Sequence, residues 1–162
     1  MKQIPLTQGK FTIVDDANYE WLNQYKWFAK KKGESFYAVR SIRMPNGKVV
    51  TAQIHRMILG LDYGDKGFSD HINHNSLDNR IENLRIATNS QNQHNQLPRK
   101  GCSSKYKGVY WDKKCKKWYG RIAFNRKRFS LGCFENEEEA AKAYNKAAIE
   151  LFGEFALLND VA

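Results

Sequence analysis

Cysteine, acidic charge and long apolar runs are all scarce in this 162-residue chain. Cysteine occurs three times, as Cys102, Cys115 and Cys133. An odd number at wide spacing argues against a disulfide framework and against a paired-cysteine zinc ribbon, and leaves buried or surface thiols. No apolar run approaches the length of a transmembrane helix, so no membrane partner is expected. Met1-Lys2-Gln3-Ile4-Pro5 lacks a signal-peptide core, which leads to the expectation of an intracellular protein. Seventeen Asp and Glu stand against 27 Lys and Arg, a net charge of +10. That imbalance is the electrostatic footprint of a polyanion-binding chain.

The charge is localised. Residues 99 to 131 hold twelve basic side chains and a single acidic one, Asp112. A charge run is most often a solvated surface. This one is interleaved with Tyr106, Tyr110, Trp111, Trp118, Tyr119, Phe124 and Phe129 in strand-like alternation, so one face can pack while the other meets phosphates. The pattern predicts strands over about 106 to 111, 117 to 124 and 127 to 134, with a tight turn at Asn125-Arg126. Asn136 followed by Glu137, Glu138 and Glu139 reads as a helix N-cap with carboxylates in the first turn. Alanines and apolar residues from Ala140 to Phe152 recur at helical spacing, and Gly153 is the expected stop.

The segment from Asp70 to Asn95, DHINHNSLDNRIENLRIATNSQNQHN, carries the chemistry. Taken singly, an Asp-His pair is usually a turn or a cap, and the Ser/Asn/Gln run from Thr88 to Gln96 reads as a solvated linker. Together they supply what phosphodiester hydrolysis needs: a carboxylate for a divalent cation, an imidazole to take a proton from water, and neutral amides as further ligands or orienters. Asp70, His71, Asn73, Asn75, Asn79, Asn83, Leu84, Arg85, Thr88, Asn92 and Asn95 resemble the core pattern of the HNH endonucleases of the phage and intron-associated homing subgroup. His55-Arg56 followed by Met57, Ile58 and Leu59 resembles the short helix that precedes the site in that subgroup.

That resemblance implies a β-hairpin followed by a helix, clasping one metal ion. It makes His71 the general base, Asp70 a metal ligand and Asn92 the second ligand, where many members carry His. Asn83 would hold the hairpin and orient His71 by hydrogen bonds. His74 falls where the family often has Gly, so a turn or a DNA-facing side chain is expected there. His55 reads as structural or phosphate-contacting. An oxygen-rich Asp/Asn site suits Mg2+ or Mn2+ better than zinc. A phage-type enzyme would act in the cytoplasm or nucleoid of a bacterial host. Two other readings are a DNA-binding regulator with a decayed nuclease core and a structural zinc module built on His71, His74 and His94.

Residues 104 to 159 resemble the apetala/ethylene-response-factor (ERF) DNA-binding domain. Its marks are Tyr106-Lys107-Gly108-Val109, Trp118, Leu131-Gly132 with Phe134, Glu138 to Tyr144, and Leu158-Asn159. The resemblance implies a three-stranded antiparallel sheet laid in the major groove of double-stranded DNA and backed by a helix. By position, Lys107, Tyr110, Lys117, Arg121, Arg128 and Ser130 would face DNA. Plant members carry Arg or Trp at several of these places, so the docking mode transfers and the plant target sequence does not.

Residues 1 to 60 read as a small β-rich module. Phe11 and Ile13 alternate toward Asp15-Asp16, strand-like runs cover Trp27 to Ala29, Phe36 to Arg43 and Lys48 to Ile54, and Tyr19 to Tyr25 suits a short helix. Asn46-Gly47 suggests a type I′ hairpin turn. Lys30, Lys31, Lys32, Arg40 and Arg43 fit phosphate contacts and solvated strand edges equally well. The expected organisation is α+β: a β-rich module and ββα-metal core over 1–98 (core about 54–98), a linker over 99–103, and an ERF-like domain over 104–162. The expected function is metal-dependent cleavage of duplex DNA by a homing-type enzyme.

Overall fold

The computed structural model describes residues 1–98 and 101–161; two of the five expected linker residues, Arg99 and Lys100, lie outside the described residues. The chain is mixed α+β and divides into two compact units, Met1–Asn89 and Ser90–Ala162.

In the first unit β1 (Lys2–Pro5) pairs antiparallel with β2 (Phe11–Val14), and α1 (Asp16–Asn23) follows. A three-stranded antiparallel sheet comes next, in the order β3 (Phe28–Lys32), β4 (Ser35–Arg43), β5 (Val49–Gln53). Its β4–β5 turn differs from the type I′ expectation, because Gly47 has a positive φ of 80° but Asn46 does not. Pro45 explains this. Its ring holds φ near −65°, which suits the first central position of a type I turn closed by Gly47 N–H donating to the Met44 carbonyl at 2.9 Å. Ile4, Val14, Leu22, Trp27, Ala38 and Ile54 form the core, and the Trp27 indole donates to the Leu22 carbonyl at 2.8 Å. Arg40 lies 3.5 Å over the Tyr25 ring, so this cation packs on an aromatic face.

The helix α2 (Ile54–Ile58) leads to the hairpin β6 (Phe68–His71) and β7 (Leu84–Ala87), joined by a polar loop that ends in the 3-10 turn Ile81–Asn83. Opposite positions on the two strands pair Asp70 with Arg85 and His71 with Leu84. The next element, α3 (Asn89–His94), starts at the junction of the two units.

The second unit carries an antiparallel sheet in the order β10 (Lys127–Phe134), β9 (Lys117–Phe124), β8 (Val109–Asp112), packed on α4 (Glu137–Phe152). The Asn125-Arg126 turn has φ of 49° and 63°, the two positive angles a type I′ turn needs. Asn136 caps α4 by accepting from Glu138 N–H at 2.9 Å. Ala140, Ala141, Tyr144, Ala148 and Phe152 are the buried face of α4, and the small residues let it approach the sheet closely. Gly108 marks the closest approach: a Cβ there would lie 2.1 Å from the Tyr144 ring and 2.6 Å from the Arg121 carbonyl oxygen. Among the described residues no helix is long and apolar enough to cross a membrane.

Candidate nuclease site and nucleic-acid interface

Asp70 and His71 close β6, where antiparallel pairing sets each against β7. Asp70 is buried opposite Arg85, whose Nε and Nη2 both donate to Oδ2 at 2.9 and 2.7 Å. His71 is buried on the other face of the strand. Its Nε2 lies 3.0 Å from Asn79 Oδ1, and its ring meets the His55 ring edge-on with centroids 4.9 Å apart. Burial lowers the His71 pKa, against the raising effects of Asn79, Asp70 and Asp78. His55 is more extreme. It is 3% exposed, its Nδ1 meets no hydrogen-bond partner among the described residues, and burial, aided by His71, pushes its pKa down to about 3. Tyr37 completes a three-ring cluster with the two imidazoles, at 5.8 and 6.3 Å.

The loop between the strands is held by its own polar side chains. Asn83 Oδ1 accepts from Asn73 N–H at 2.9 Å, and Asn83 Nδ2 donates to the Asp78 carbonyl at 2.8 Å. Asn73 Nδ2 donates to Asp78, which also takes two hydrogen bonds from Arg80. Asn83 thus ties two points of the loop to the end of the 3-10 turn. The amide that meets the His71 ring, however, belongs to Asn79, fully buried and bonded in turn to Thr12 Oγ1 at 2.6 Å. His74 stands at the loop tip with a φ of 62°, which explains why glycine suits this place.

Asn92 lies on α3 in the second unit, half-buried. His94 lies two residues further and stacks on Phe152, centroids 3.8 Å apart and planes within 11°. Among the described residues no group of three His, Cys, Asp or Glu side chains could hold a metal ion.

On the sheet of the second unit, alternation separates two faces. Trp118, Gly120 and Ile122 turn toward α4, while Tyr110, Lys117, Tyr119, Arg121, Arg128 and Ser130 share the opposite face through the pairings Tyr110↔Tyr119, Ser130↔Arg121 and Arg128↔Ala123. Arg121 lies 5.3 Å over the Tyr110 ring, and Lys117 pairs with Glu135 at 2.8 Å. Lys107 departs from the expected DNA-facing position. Its Nζ donates to the carbonyls of Gln93, His94 and Gln96, capping the end of α3, and burial lowers its pKa to about 8. Its place in the ERF-like pattern does not carry it to that face, because β8 starts at Val109 and Gly108, with a φ of 75°, turns the chain between them.

Comparison with known proteins matches these two regions. Residues 43–94 match an HNH endonuclease family model, and residues 104–154 match an AP2 domain model. A protein of Acanthamoeba polyphaga mimivirus named "Uncharacterized HNH endonuclease L560" is 34% identical over 158 residues, covering 95% of this chain and 77% of the viral one. The chain belongs to the HNH endonuclease family. "Protein 3.8" of Escherichia phage T7 is 32% identical to this HNH protein over 89 residues, 55% of this chain and 73% of the phage one. The AP2 part is 42% identical to "APETALA2-like protein 2" of Oryza sativa subsp. indica over 59 residues, 35% of this chain and 13% of the rice protein. The three-stranded sheet packed on α4 is the AP2 fold that this HNH chain carries at its C-terminal side.

Proposed function

We propose that this HNH protein is a metal-dependent, homing-type endonuclease that grips double-stranded DNA with the β8–β10 sheet and hydrolyses a phosphodiester with His71. The observation that carries the reading is the state of His71: a buried imidazole whose pKa is lowered by burial, beside Asp70 and held at Nε2 by Asn79. Such a ring is neutral near pH 7 and ready to take a proton from water.

The donor chemistry fits a hard divalent cation. A carboxylate on Asp70 and an amide oxygen on Asn92 are oxygen ligands, and so few protein ligands suit Mg2+ or Mn2+, which keep waters and take substrate phosphate oxygens. When bound, the ion supplies Lewis-acid polarisation of the scissile phosphate and stabilisation of the departing 3′ oxygen. Asp70 and Asn92 would hold it, with Arg85 fixing the Asp70 carboxylate through Oδ2. His71 would accept the proton of the attacking water, leaving 5′-phosphate and 3′-hydroxyl ends. Asn83 and Asp78 keep the loop beneath the base in place. Tyr110, Lys117, Arg121, Arg128 and Ser130 would meet the duplex, the cations contributing most of the salt-dependent affinity.

A plasmid-nicking assay with Mg2+ tests this. The wild-type chain is expected to cut, and His71→Ala to cut about 10²- to 10⁴-fold more slowly at unchanged duplex affinity. Equal rates would remove His71 from the role. A wild-type chain that binds DNA without cutting would favour a regulator with a decayed core.

A further inference from the structure

We propose that Thr12 is a positioning residue of the nuclease site, fixing through Asn79 which nitrogen of His71 carries the proton; this rests on the reading of His71 as the base. The strand β2 runs alongside the loop. Ile13 N–H donates to the Leu77 carbonyl at 2.8 Å, and Asn79 N–H donates to the Ile13 carbonyl at 2.8 Å. The Thr12 side chain lies in the same contact, fully buried, with Oγ1 2.9 Å from the Leu77 carbonyl oxygen and 2.6 Å from the Asn79 amide.

A carbonyl oxygen only accepts, so the single Thr12 hydroxyl proton goes to Leu77. The hydroxyl oxygen then has only acceptor capacity toward Asn79, which must present its Nδ2 there. That leaves Oδ1 on the side of His71, where it only accepts. Nε2 of the neutral ring therefore carries the hydrogen, and the lone pair lies on Nδ1. A flipped Asn79 would set its oxygen against a hydroxyl oxygen with no proton to give, and its NH2 against Nε2, selecting the other tautomer. The N-terminal hairpin, 67 residues from Asn79 at this contact, is in this way part of the catalytic apparatus.

The test reads the imidazole directly. Two-bond 15N–1H correlation spectra of the full-length, metal-free protein should show His71 as the Nε2–H tautomer in wild type and in Thr12→Ser, which keeps the hydroxyl. In Thr12→Val, which keeps the shape and loses the hydroxyl, the ring nitrogens should move toward a mixed or Nδ1–H pattern. Asn79→Ala should do the same and serves where Thr12→Val does not fold. An Nδ1–H wild type, or a pure Nε2–H pattern retained in folded Thr12→Val or Asn79→Ala, overturns the proposal. In parallel nicking assays Thr12→Val should lose activity by about 10- to 100-fold, with Thr12→Ser within a few-fold of wild type. The spectra do not depend on turnover. A wild type that never cuts therefore sinks the nuclease reading while the tautomer result stands by itself.

Discussion

Acid should loosen the first unit through a residue outside the proposed chemistry. His55 titrates near 6.5 in an unfolded chain and at about 3 in the folded one, because burial penalises its charged form. Between those values the unfolded chain binds more protons, so stability is fully present above about pH 6.5 and falls as pH drops toward 3. Each pH unit through that window removes about 1.4 kcal/mol. At pH 5 the loss from His55 alone is about 2 kcal/mol, large against a total stability of roughly 5–15 kcal/mol. His71 shifts in the same direction, so the comparison that isolates His55 is a difference between proteins. Urea unfolding would be followed on amide resonances of residues 1–89 at pH 7.5 and pH 5 for wild type and His55→Gln. Wild type is expected to lose about 2 kcal/mol more than the variant between the two pH values. Equal losses would mean that the imidazole is hydrated or finds a proton acceptor in solution, and the reasoning from its burial would fail.

Asp70→Ala should abolish Mg2+-dependent cleavage and cost about 3 kcal/mol in the same urea assay, because it takes a buried carboxylate from the half-buried Arg85 guanidinium. Asn92→Ala should abolish cleavage while Asn92→Asp, which keeps an oxygen ligand, stays partly active; a normal Asn92→Ala enzyme would move the distal ligand to another residue. Arg121→Ala and Arg128→Ala should each flatten the slope of log DNA affinity against log salt by roughly 0.9. Lys107→Met should leave that slope unchanged and instead speed amide exchange in α3, since its amine faces three carbonyls. Gly108→Ala should destabilise the second unit by about 3 kcal/mol or more, seen as a lower urea midpoint, because the added methyl meets the Tyr144 ring.

The second unit was legible in the sequence because its determinants are local. Alternation gave the two faces of β9, the Asn125-Arg126 pair gave the turn, and Asn136 with its three glutamates gave the start of α4. The HNH hairpin was legible as a motif, since its asparagines bond within their own loop. Features made by distant chain segments were not. The partner of His71 depends on Thr12, far upstream, and nothing around Asn79 announces it. Lys107 was assigned to the DNA face by its place in the ERF-like pattern, and nothing local shows that Gly108 turns the chain there so that the amine reaches the carbonyls of Gln93, His94 and Gln96 instead. The strand β1 was missed: four residues ending in Pro5 are too short to show a period and end on a residue without an amide donor.

The capped helix α3 bears on how such chains exchange parts. The HNH family match runs to residue 94, yet the compact second unit starts at Ser90, and His94 and the carbonyls of α3 are bound by Phe152 and Lys107. The unit of inheritance read from sequence and the unit of folding therefore overlap by a few residues. A recombination at the edge of the AP2 match, near Ser104, hands the HNH part a helix whose stacking partner and cap have been left behind, whereas a crossover at residue 90 carries them along. A graft of a new C-terminal domain onto this HNH chain has to bring its own α3, and with it the residue that stands at position 92.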